Sequence, residues 1–197
     1  MSRPLDEAAL DQIFRQARTY NGYLDRPVST DQLRAIWDLM KMGPTSANML
    51  PSRLVWCVSG EAKAKLAACA MPSNAEKILA APVSVVIGMD LDFHDNLPWL
   101  FPHDQSAKNW WPDRAAREPH ALRNSSLQGA YFIIAARALG LDTGPMSGFS
   151  AEAVEQAFFA DQPSVRANFI STLGYGDLAT IFERSPRPDF ERFNTVV

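Results

Sequence analysis

The sequence predicts a mixed fold of helices and strands, and three observations carry that prediction. Three short runs, Arg53–Val58, Val83–Met89 and Asn168–Gly176, are apolar and bounded like strands. Around them, about six stretches repeat apolar residues at helical spacing. A hydrophobic fraction of 47% against 21% charged residues suits a packed domain. The strand spacing is equally compatible with a wound parallel sheet and with an α+β arrangement.

Residues 5–19 place Leu10, Ile13, Phe14 and Ala17 on one stripe, predicting a helix that faces a core, with Gly22 as its stop. Ser29 opens the next helix, and Gln32, three residues on, completes a capping box. Leu33, Ile36, Trp37 and Met40 form its buried stripe, and Gly43-Pro44 ends it. Arg53–Val58 reads as a strand and the segment from Glu61 as a short helix. Val83–Met89 is almost continuously apolar, as a central strand covered on both faces should be.

Residues 90–121 carry Pro98, Pro102, Pro112 and Pro119, tryptophans at 99, 110 and 111, and no steady period. They read as an excursion with one short helix, of the kind that serves as a lid or binding loop. Leu122–Leu139 is the clearest helix. It is apolar all round from Ala130 to Ala136, which places it deep in the domain or against a second subunit, and Gly140 terminates it. Ser150 begins a further helix through Phe159, the third strand follows, and the tail from Glu183 is arginine- and proline-bearing and aperiodic. With no internal repeat and no linker, residues 1–197 are expected to form one domain.

Nineteen basic residues are scattered among 22 acidic ones, for a net charge of -3. That lacks the concentrated basic face a nucleic-acid binder needs. Cys57 and Cys69 lie in apolar surroundings and read as reduced core residues. The N-terminus has no apolar signal core, and no stretch reaches about 18 uninterrupted apolar residues. A cytoplasmic protein without membrane association is expected.

Common chemical motifs are missing. Gly174-Tyr175-Gly176 lacks the third glycine of a dinucleotide fingerprint and opens no helix. His94, His103 and His120 have no ligand spacing, so no metal is expected, and neither cysteine has a nucleophile's flanks. Any chemistry is therefore carried by a bound molecule.

Four segments can build a pocket for one. Arg18-Thr19-Tyr20-Asn21 offers the guanidinium and hydroxyl that a terminal phosphate wants, or is a solvated helix end. Gly43–Arg53 presents Thr45, Ser46 and Asn48. The Asn48 amide donates and accepts at once and suits the mixed edge of a flavin or nucleobase, although such residues also bond their own turns. In Leu139–Phe149, Gly144 and Gly148 permit backbone approach to a flat ligand, or the segment is a plain interhelical loop. Arg184-Ser185-Pro186-Arg187 can clamp a phosphate or simply belong to a solvated tail.

In order and together, these segments resemble the flavin-dependent nitroreductase family across nearly the whole chain. "GPTSANMLPSR" resembles its Pro-Ser-Ser-x-Asn-x-Gln-Pro segment and "GLDTGPMSGF" its Gly-Leu-x-x-x-Pro-x-x-Gly-Phe segment. "LGYGD" with a basic Pro-Arg tail resembles its C-terminal end. Within the family, "RTYNGY", "LFPH", "RNSSLQGAY" and "ARALGLDTGPMSGF" are most similar to the malonic semialdehyde reductase branch of pyrimidine degradation.

The resemblance implies an α+β fold, with a mainly antiparallel sheet among helices, in an intertwined homodimer with two FMN sites at the interface. It implies reduction of 3-oxopropanoate to 3-hydroxypropanoate by NAD(P)H, with ping-pong hydride transfer through flavin N5. The alternatives are a nitroaromatic or quinone reductase on the same scaffold, or a flavin-binding protein without turnover. Matched positions imply cofactor contacts from Arg18, Thr19, Asn21, Ser46, Asn48, Asn124, Pro145, Met146, Ser147, Gly148 and Arg187. Arg53 is the candidate for an anionic substrate, and no side chain is assigned a catalytic role. The chain departs from the family in lacking a second basic residue near Asn21, and in carrying Leu50 and Ser147 where many members have glutamine and some have glutamate.

Overall fold

The computed structural model describes residues 3–197. Its centre is one four-stranded antiparallel sheet of β1 (Ser52–Cys57), β2 (Val83–Asp90), β3 (Asp142–Met146) and β4 (Val165–Gly174), in the order β1-β2-β4-β3. The mixed composition thus resolves into the α+β arrangement, not a wound parallel sheet. β2 is buried along its whole length, as its apolar run predicts.

Alternation along the strands divides the core between the two sheet faces. Val83, Val85 and Ile87 face α2 (Thr30–Met40) and α6 (Arg114–Ala138), in a cluster with Ile36, Met40, Phe132, Ala135 and Ala136. Val86 faces the other way, toward Leu66 of α3 (Gly60–Ala67), Ile78 of α4 (Pro72–Ala80) and Val154 of α7 (Ala151–Phe158). The β2–β4 register shifts where Ile87 and Gly88 oppose Phe169 and Ala167. The extra residue, Asn168, turns its amide to the Ser125 and Ser126 hydroxyls at 3.2 and 3.1 Å.

The Ser29–Gln32 capping box forms in both directions, and Leu33, Ile36 and Met40 are buried as predicted. Trp37, expected beside them, is 37% exposed. The N-terminal stretch differs more. It is a short α1 (Glu7–Leu10) running into a π-turn, Asp11–Arg15, and neither part contains a buried residue. Gly22 therefore does not stop that helix. A Cβ there would meet the Thr180 methyl at 2.7 Å, so the glycine admits the C-terminal segment.

Residues 90–121 hold more structure than one short helix. They form two 3₁₀ turns around α5 (Leu97–Leu100), over a cluster of Met49, Phe93, Leu97 and Trp111. α6 starts at Arg114, well ahead of the predicted Leu122, with Asp113 as its cap and Pro119 inside it. Nor is α6 sheathed all round, since Tyr131 and Leu127 stay exposed. Toward the core it carries a polar stripe, in which Gln128 accepts from the Ser52 backbone at 2.9 Å and Ser125 donates to the Gly88 carbonyl at 3.0 Å. The tail ends in α8 (Phe190–Phe193), which buries nothing. Among the described residues, no helix is long and apolar enough to cross a membrane.

Candidate functional site

Opposite ends of the chain meet around one cavity of about 340 Å³, lined by Ala17, Arg18, Thr19, Arg137, Arg184 and Arg187 among others. Two arginines bind the C-terminal tail to the N-terminal turn. Arg18 donates to the Phe182 carbonyl, and Arg184 donates to the carbonyls of Arg15 and Ala17, each at 2.9 Å. Arg187 bonds only carbonyls of its own turn, at Ser185 and Pro186. The site's one carboxylate is Glu183.

Arg137 enters from the C-terminal end of α6 and was not singled out from the sequence. Its Nη1 donates to the Ile13 carbonyl at 3.1 Å, while its Nε is buried with no partner. Burial pulls its guanidinium below the usual arginine range, partly offset by Asp142 and reinforced by Arg184. The Asp142 carboxyl is pushed up by burial, against the Gly176 N–H it accepts at 3.0 Å and the nearby Arg137. The apolar stretch of α6 around Arg137 masks it. Its one legible sign was a charge at the end of an otherwise apolar run.

The Arg18–Asn21 segment runs beside the sheet edge. Thr19 bridges Thr143 of β3, Tyr20 N donates to the Thr143 carbonyl at 3.2 Å, and Asn21 donates to the Thr180 carbonyl at 2.9 Å. The segment read as a glycine-bearing loop contains this edge strand, and Pro145 and Met146 are its last residues. Pro145, Met146 and Ser147 line a shallow hollow with Phe169. The glycines serve packing. A Cβ on Gly144 would lie 2.4 Å from Thr172 Oγ1, and one on Gly148 2.7 Å from Asn74 Nδ2. The Gly148 carbonyl accepts from that Asn74 amide and from Met71 N.

Ser46, Asn48 and Asn124 form a second group. Asn124 is 2% exposed; its Oδ1 accepts from Ser46 N and its Nδ2 donates to the His120 carbonyl, both at 2.8 Å. Asn48 donates to the Leu100 carbonyl at 2.8 Å. Ala47, Asn48 and Leu50 have φ of 49°, 50° and 39°. Three non-glycine departures into the left-handed region within four residues store backbone strain that the surroundings must hold. Arg53, on β1, pairs with Asp90 at 2.6 Å and also bonds the Leu50 and Ser52 carbonyls. None of this second group lines the arginine cavity within one chain.

The model of the nitroreductase family matches residues 14–175. A relative from Stenotrophomonas maltophilia (strain R551-3), described as "Putative NADH dehydrogenase/NAD(P)H nitroreductase", is 56% identical over 97% of both chains. Among solved structures, a "putative nitroreductase in complex with FMN" from Exiguobacterium sibiricum superposes with a TM-score of 0.85 at 19% identity, over 100% of both chains. An enone reductase of gut-bacterial fatty acid saturation superposes at 0.83 with 17% identity, over 98% of this chain and 100% of that one. The chain belongs to the nitroreductase family.

Proposed function

We propose that the chain is one subunit of a homodimeric FMN oxidoreductase that uses NAD(P)H to reduce malonic semialdehyde (3-oxopropanoate) to 3-hydroxypropanoate. The family uses FMN with NAD(P)H, and the arginine cavity is the observation that carries its use here. A terminal phosphate brings about two negative charges and three acceptor oxygens. Arg18, Arg137, Arg187 and the Thr19 hydroxyl supply matching donors around one cavity. The buried Nε of Arg137 lacks the acceptor that a phosphate oxygen provides. The residues present fit the group.

Thr19 lies against β3, so the phosphate cradle and Pro145–Gly148 share one sheet edge. In this reading, Asn21 and Pro145–Gly148 line the path from phosphate to ring. Ser46 and Asn48 address the ring edge from the second copy, and the buried Asn124, expected as a direct contact, instead holds that turn through Ser46 N. The exposed Trp37, Leu39 and Met42, with Leu122, Leu127 and Tyr131 of α6, support such a copy. Arg53, whose side chain stays 30% exposed beside Asp90, is the proposed contact for the substrate carboxylate.

Bound FMN supplies hydride transfer between the nicotinamide and the substrate carbonyl. The chain's own work is to neutralise the phosphate, hold the ring and position the aldehyde. The printed description of the Stenotrophomonas relative favours a second reading, nitroaromatic reduction. Absorption spectra before and after anaerobic NADPH, followed by steady-state rates, test both. A yellow protein that bleaches and turns over 3-oxopropanoate in a ping-pong pattern supports the proposal. Faster turnover of nitroaromatics or quinones shifts the substrate to the second reading, and a yellow protein that does not bleach overturns both.

A further inference from the structure

The excursion between β2 and α6 builds another cavity, part polar and part apolar, which the flavin reading does not use. It measures about 280 Å³ and is lined by His94, Lys108, Asn109, Trp111, Pro112 and Arg117. Arg117 projects from the first turn of α6 and is only 8% exposed. Its Nη2 pairs with Asp92 at 3.1 Å, and its Nη1 lies 2.9 Å from His94 Nε2. A guanidinium has no acceptor, so Arg117 donates and His94 Nε2 accepts. The ring proton then sits on Nδ1.

Two donors are left over. Arg117 Nε and His94 Nδ1 are both buried without a hydrogen-bond partner. Buried donors are rarely left unmade, and a charged one least of all. The charge is unbalanced as well. Arg114 reaches Asp92 at 3.6 Å and Lys108 pairs with Asp95 at 3.1 Å, so three cations face two carboxylates. A water molecule could accept from the orphaned donors but would leave that excess uncompensated. An anion answers both.

We propose that this cavity binds a small oxyanion, a phosphate or carboxylate group, with Arg117, His94, Lys108 and the Asn109 amide as its donors. The oxyanion has only acceptors, which complements a lining of donors. Trp111 forms part of the wall and reports occupancy through its emission.

The test is calorimetric titration of FMN-saturated protein with inorganic phosphate and, separately, with malonate, at ionic strength held constant with sodium chloride. Saturable binding of one anion, with a shift in tryptophan emission, is expected, and the anion that saturates tells phosphate from carboxylate. Arg117→Gln should abolish it. Lys108→Ala, at a half-exposed position that does not threaten the fold, should weaken it about tenfold. The double variant Arg18→Ala with Arg187→Ala, which removes two of the four arginines of the other cavity, should leave it unchanged. No saturation by either anion, equal affinity in Lys108→Ala, or loss in the Arg18/Arg187 variant instead would overturn the proposal.

Discussion

The arginine cavity and the Ser46–Leu50 turn touch the same long helix at different levels. Arg137 marks one level and Asn124 the other, roughly 20 Å apart along α6 at 1.5 Å per residue. The cavity is assembled within one chain, because tail and N-terminal turn are bound together by Arg18 and Arg184. The Ser46–Leu50 turn is assembled too, but with nothing of the cavity beside it. It is held strained against Asn124 and Leu100. In the proposed reading, charge for a phosphate is thus local to each chain, whereas the polar edge for a ring is displayed away from it. That separation is what a site shared between two copies requires.

The largest effect should come from removing the charge. Arg18→Ala combined with Arg187→Ala deletes two charge-assisted contacts, each worth about 1.5–3 kcal/mol, so FMN affinity should fall by at least 100-fold. Fluorescence titration with FMN measures it, and near-native affinity would detach the cavity from the cofactor. The turn should respond differently. Ala47→Gly relieves a left-handed residue and should stabilise the fold by up to about 1 kcal/mol in urea unfolding, while leaving phosphate-dependent affinity alone. Destabilisation would show that the turn is not strained.

A smaller effect concerns the sheet that separates the two regions. Burial pushes the Cys57 thiol up to about 11, so the fold favours its protonated form. That contribution is intact below the unfolded thiol's value of 9.0 and is lost as pH climbs toward 11. Wild type should therefore lose more stability than Cys57→Ala between those pH values. Equal losses in paired urea midpoints would contradict it.

Much of the sheet and its helices was legible because local signals agreed. The Ser29–Gln32 box and the unbroken apolar run of β2 each had one reading. β3 was not legible. Its Asp-Thr-Gly-Pro-Met sequence looks like a turn, and it survives as a strand because an edge position tolerates Pro145. The early start of α6 was hidden by Pro119, which lies in the second turn and reads as a helix breaker although the helix runs through it. At the candidate site, the phosphate-seeking segments stood out by residue type, and the structure brings Arg18, Thr19 and Arg187 to one cavity. Arg137 did not stand out, because the carbonyl its side chain bonds, that of Ile13, lies 124 residues away in sequence. The gap between Asn48 and that cavity is likewise invisible to any pattern along one chain.

The most direct test of a shared site is complementation between two defective chains. One carries Arg18→Ala and Arg187→Ala, the other Ser46→Leu and Asn48→Leu, and each alone should bind FMN poorly. Mixed dimers, isolated through two affinity tags, contain one position where an intact arginine cavity meets an intact Ser46–Asn48 turn. Bound FMN should recover to one per mixed dimer. No recovery, with both halves needed in the same chain, would contradict the account.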